Sequence, residues 1–86
     1  VSSHNLSAQA SVYPNPSSGV VNVKFDQIVS SPVIKVSGID GRELFSKQYH
    51  NTSFEELDLS GFEAGIYIIQ LEGSDFSYTK RLIINK

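Results

Sequence analysis

The sequence predicts an all-β domain, an antiparallel sandwich of six or seven strands with Greek-key connections. Three features predict it. Apolar and polar residues alternate in short runs, the period of a strand with one covered face. Helical periodicity is nearly absent, and its best trace, Phe54 with Leu57, amounts to one turn. Turn residues separate the runs at a spacing of roughly 10–12 residues. The sandwich is preferred here, although the same pattern admits a barrel.

The runs follow in order. Gln9 to Tyr13 supplies a short first strand. Val20 to Phe25 alternates, with Val21, Val23 and Phe25 on one side and Asn22 and Lys24 on the other. Pro32 opens the third run, where the missing donor is tolerated, and Ile34 and Val36 share a face. Asp40-Gly41 supplies a hairpin turn, and Arg42 to Tyr49 returns with Leu44 and Phe45. His50-Asn51-Thr52 breaks the pattern. Phe54 to Leu59 is a fifth run with Leu57 and Leu59 on one face, and Gly61 to Gly65 is a loop. Ile66 to Leu71 is the most hydrophobic run, apolar on both faces, and is expected to be central and covered on both sides. Gly73-Ser74-Asp75 turns the chain, and Tyr78 to Ile84 closes it.

The 86 residues fit one domain. A chain of this size buries only about 60–65% of its unfolded surface, which leaves little room for a deep, dry pocket. Residues 1–9 are polar and unpatterned and read as a linker remnant, with the domain over 10–86. The start at Val1, without Met or a signal-peptide pattern, reads as a fragment of a longer precursor. A net charge of −2 with no like-charge run argues against nucleic acid as a partner. No apolar run reaches the roughly 18–20 residues of a membrane-spanning helix. Cysteine is absent, which excludes disulfides and thiolate chemistry.

No catalytic or metal site is expected, and no cofactor. The histidines are His4, in the linker, and His50, in a loop with Ser53 and Glu55 nearby. A Ser-His-acid set is one reading of that loop, and a solvated polar turn is the preferred one. Glu55, Glu56 and Asp58 form the sole acidic cluster, read as a solvated strand face rather than a Ca²⁺ site. Gly61 and Gly65 fit no phosphate-loop pattern. Asn5-Leu6-Ser7 and Asn51-Thr52-Ser53 match a glycosylation triplet that is frequent by chance, and Pro16 disqualifies Asn15-Pro16-Ser17. Tyr13, Tyr49 and Tyr78 offer possible sugar-stacking rings, while Tyr67 belongs to the core face.

Three segments stand apart. In Val12-Tyr13-Pro14-Asn15-Pro16-Ser17-Ser18-Gly19, the prolines fix φ and constrain Tyr13 and Asn15. Asn15 is expected to bond nearby backbone, and Gly19 to free the chain to enter the next strand. In Asp58-Leu59-Ser60-Gly61-Phe62-Glu63-Ala64-Gly65-Ile66-Tyr67-Ile68, Phe62 plugs a loop before the central strand. A positive φ at Gly65 makes Gly65→Val cost roughly 1–3 kcal/mol. The last segment, Tyr78-Thr79-Lys80-Arg81-Leu82-Ile83-Ile84-Asn85-Lys86, is a basic strand in an acidic chain. Its charge either deters edge pairing or steers it to an acidic partner.

In this order and spacing, over about residues 10–86, the segments resemble the type A C-terminal sorting domain of the type IX (Por) secretion system of Bacteroidetes. The resemblance implies an Ig-like sandwich that follows a cargo domain in the same precursor. It implies folding in the periplasm, recognition by an outer-membrane shuttle protein and passage through the translocon to the cell surface or medium. A cell-surface sortase, a cysteine peptidase, then usually removes the domain, which is a substrate with no catalytic role. Pro14, Asn15, Pro16 and Gly19 match the first family motif, and Gly65 and Tyr67 the second. Lys80, Leu82, Ile83 and Ile84, in a segment ending on Lys86, match the terminal one. The implied cleavage zone is Val1-Ser2-Ser3-His4-Asn5-Leu6-Ser7-Ala8-Gln9-Ala10. The competing reading is a carbohydrate-binding or adhesive module.

Overall fold

A computed structural model describes residues 10–73 and 77–85. Seven strands form: β1 (Ala10–Tyr13), β2 (Val20–Val29), β3 (Val33–Gly38), β4 (Glu43–Gln48), β5 (Thr52–Asp58), β6 (Gly65–Glu72) and β7 (Ser77–Ile84). They make two antiparallel sheets, β1-β2-β5 and β4-β3-β6-β7. The chain crosses between sheets after β2, β4 and β5, the Greek-key pattern of an Ig-like sandwich. No helix is present among the described residues.

Alternation decides what each strand buries. Val21, Val23 and Phe25 of β2 face Ile34 and Val36 of β3, Ile69 and Leu71 of β6, and Leu82 and Ile84 of β7 in one core. Leu57 and Leu59 close it from the β5 side, and Val12 from β1. Removing side chains of this kind from water stabilises by roughly 1.5–3 kcal/mol each, so the shared inner face holds the sheets together.

The turns follow their residues. Gly41 has φ +89°, which glycine adopts freely, and its N–H bonds the Gly38 carbonyl at 3.0 Å. Beside this turn β4 carries an irregularity: Val36 faces Phe45 but Ser37 faces Glu43, so Leu44 is the extra residue. The turn expected at Gly73-Ser74-Asp75 and the linker over 1–9 fall largely outside the described residues.

One expectation is corrected. β6 is central in its sheet, between β3 and β7, but it is covered on one face only. Ile69 and Leu71 are buried, whereas Ile66 is exposed and Ile68 half-buried. A two-layer sandwich has nothing to lay over an outer face, so apolar residues there stay in contact with water.

Candidate recognition site

The first segment leaves β1 at Tyr13, and the Tyr13–Pro14 and Asn15–Pro16 peptide bonds are both cis. Asn15 does not bond nearby backbone, as expected from its position, but reaches β7. Its Nδ2 donates to the Arg81 carbonyl at 2.9 Å, and its Oδ1 accepts the Ile83 N–H at 3.0 Å. Ser17 continues the pattern with its backbone. Its N–H donates to the Ile83 carbonyl at 2.8 Å, and its carbonyl accepts the Asn85 N–H at 2.7 Å. These are successive rungs of a parallel ladder, with the asparagine amide standing in for a peptide group. Only a carboxamide offers both halves of that rung, because a carboxylate has no donor for the Arg81 carbonyl. The flanking Pro14 and Pro16 carry no N–H of their own.

Ser17 is itself buried, and its hydroxyl is fully used. Oγ donates to the Val20 carbonyl at 2.7 Å and accepts the Gly19 N–H at 3.0 Å. Gly19 has φ +137° and lies against the second segment. Its carbonyl accepts the Leu59 N–H at 2.7 Å, and a Cβ added there would lie 3.1 Å from the Ser60 Cα. Glycine is required on both counts.

The second segment is pinned in turn. Asp58 accepts the Ser60 N–H at 3.0 Å, and bonding from the Ser60 side chain and then its backbone holds this carboxyl below the usual range. The Phe62 and Tyr67 rings meet at 5.3 Å, and the Tyr67 hydroxyl donates to the Glu63 carbonyl at 2.6 Å. From this anchor β6 runs beside β7, pairing Gly65 with Ile84 and Tyr67 with Leu82. Gly65 does not need positive φ, and a Cβ there would meet only the Tyr67 ring at 3.9 Å. The positive φ on which strain at this position depended is therefore not met.

All three segments thus converge on residues 81–85. That stretch of β7 has β6 on one edge and Asn15 with Ser17 on the other. Leu82 and Ile84 point into the core, Ile83 is half-buried, and Lys80 and Arg81 are exposed. Lys86 and Val1 to Gln9 lie outside the described residues, while Ala10 is buried in β1 opposite Phe25.

The other candidates lie elsewhere. His50 and Ser53 are exposed beside the β4–β5 turn. Tyr49 is half-buried against the core, with the Lys47 Nζ 5.0 Å from its ring centre. Burial and then the Glu55 charge push the Tyr49 hydroxyl pKa up. Among the described residues no group of acidic and histidine side chains is placed to hold a metal ion.

The sequence reading missed the two rungs at Asn15 and Ser17. Their one visible signal is an asparagine held between prolines, which marks a constrained side chain but not its distant partner.

A search of curated proteins finds no match. A family model described as the secretion system C-terminal sorting domain matches residues 11–85, a span that contains all three segments. The chain therefore belongs to the type IX secretion C-terminal sorting domains, signals that engage the secretion machinery and direct export to the cell surface or extracellular space.

Proposed function

We propose that this domain is a folded export tag for a cargo domain N-terminal to it in the same precursor. The tag carries its cargo from the periplasm through the outer-membrane translocon after a shuttle protein binds it. A cell-surface sortase then removes it, and the cargo is anchored or released. The domain itself performs no catalysis.

The observation that carries the reading is the terminal strand. It is locked into the fold by β6 along one edge as far as Ile84 and, over 81–85 along the other, by the Asn15 side chain and the Ser17 backbone, yet it leaves Lys80 and Arg81 in solvent. Such a strand offers a partner a preorganised surface with little ordering cost. The placement of Ala10 inside β1 favours cleavage before it, in the Val1–Gln9 stretch. The sugar-binding alternative draws less support, since of its candidate rings Tyr49 and Tyr78 pack against the core and Tyr13 alone, 42% exposed, stands clear of it.

Deleting Lys80–Lys86 from the full precursor tests the proposal. The expected result is cargo retained in the periplasm with its own domain folded. Normal secretion of the deletion would refute it.

A further inference from the structure

β6 begins two residues before its pairing with β3 does. Gly38, the last residue of β3, faces Tyr67, so on that edge Gly65 and Ile66 have the 39–42 turn beside them instead of β3, while β7 pairs with them on the other. The result is an open groove of about 350 Å³. Ile39, Leu44, Ile66 and Tyr67 supply its apolar lining, and Asp40 and Arg42 its charges. Gly38 and Gly65 also line it and add no side-chain bulk.

The groove continues onto the outer face of the four-stranded sheet. Ile66 lies directly across from Ile83, and the next outward residue of β6, Ile68, lies across from Arg81. Ile39 is 72% exposed, and Leu44 and Ile66 are 44% exposed. Core packing explains none of this, because these residues face away from it.

Charge follows the same division. At the outward positions of this sheet Lys35 and Arg81 stand against Glu43 and Glu72, a net charge of zero, while Lys47 and Lys80 pair across from the core residues Ile34 and Ile69 on the inner side of their strands. The outward positions of the other sheet carry Lys24 against Asp26, Glu56 and Asp58, a net −2. Lys35 and Glu72 pair at 3.7 Å. Arg81 is exposed at the margin of the isoleucines, and no ion pair involves it among the described residues. A partner carboxylate is therefore repelled by the outer face of the other sheet and meets on this one an arginine that no ion pair occupies.

Edge pairing is closed to such a partner over 81–85, because β6 takes one edge and Asn15 with Ser17 the other. Strand addition, a common way to read an extended segment, would require the first motif to let go. Side chains on the outer face need no such release.

We propose, resting on the sorting reading above, that the secretion machinery reads this tag through the outer face of the four-stranded sheet: a protein partner seats an apolar side chain in the 38–44/65–67 groove and sets carboxylates against Arg81.

The test is export of a folded reporter fused ahead of the 86-residue chain in a host that has the type IX system. Arg81→Glu and Ile39→Asp are each expected to cut the exported fraction roughly tenfold, as loss of a central contact does. Both sites are exposed, so the purified domain should melt as the parent does. Arg81→Lys should retain most export. Phe54→Ser and Lys24→Glu, on the opposite sheet, should leave it unchanged. Parental export by both Arg81→Glu and Ile39→Asp, with deletion of 80–86 still blocking, would overturn this inference and leave the sorting reading standing. If the parent chain exports no reporter, the sorting reading fails and this inference fails with it.

Discussion

The two sheets bury the same kind of inner face and present different outer ones. Outside the β1-β2-β5 sheet, Tyr13 faces Asn22, Phe54 faces Lys24 and Val20 faces Asp58, while Ile28, 70% exposed, lies where the pairing of β2 with β5 shifts register. Outside the β4-β3-β6-β7 sheet, Ile66 faces Ile83 and Ile68 follows beside them. Scattered surface apolar residues are ordinary, and contiguous ones mark contact surfaces. The difference teaches that the fold accounts for the inner faces alone. The outer face of the second sheet, where Arg81 and Ile83 point, holds apolar contacts that the core does not use.

The largest expected effect is shared by both sheets. Leu57→Ala and Leu82→Ala each remove a buried side chain and should lower unfolding free energy by about 2–5 kcal/mol in urea titrations. Ile66→Ser, on the outer face, should cost less than about 1 kcal/mol in the same titration. Equal losses at Leu82 and Ile66 would break the distinction between faces.

A middle-sized effect belongs to the seam that joins the first sheet to the edge of the second. Asn15→Ala removes two hydrogen bonds to β7 and should cost about 1–3 kcal/mol. Asn15→Asp should also destabilise, since its carboxylate meets the Arg81 carbonyl without a donor. A smaller change is expected at Gly65→Ala, under about 0.5 kcal/mol, because neither φ nor space requires glycine there.

The smallest effect is electrostatic and sits on the acidic side. The Asp58 carboxyl pKa is lowered by its bonds from Ser60, so the folded state binds this proton less readily than the unfolded chain. Its stabilising contribution is present above the ordinary value of 3.8 and is lost as pH falls through the lower folded value. Acid titration of the melting temperature should therefore fall less steeply in Asp58→Asn than in the parent.

Much of this was legible in the residues. Val21, Val23 and Phe25 declared their shared face by alternation, and Asp40-Gly41 declared its turn by composition. The order of the three segments pointed to the family that the chain belongs to. Alternation could not say which apolar face is covered: Ile66 and Ile68 read like core residues because the pattern reports parity and not the number of layers. The Asn15 ladder was equally hidden, because its partners lie 66 and 68 residues away and register across two sheets leaves no local trace. At Gly65 residue type left open whether φ is positive, and the backbone there is ordinary.

What unites the motifs is the grip of the first upon the last, and amide hydrogen exchange reads it at single residues. In the parent domain the Ile83 and Asn85 amides, bonded to Asn15 and Ser17, should be protected. Asn15→Ala should speed exchange at both by roughly tenfold, the change that about 1.4 kcal/mol produces, while core amides such as Leu82 stay slow. Unchanged exchange at Ile83 and Asn85 in that variant would mean that the first motif does not hold the terminal strand.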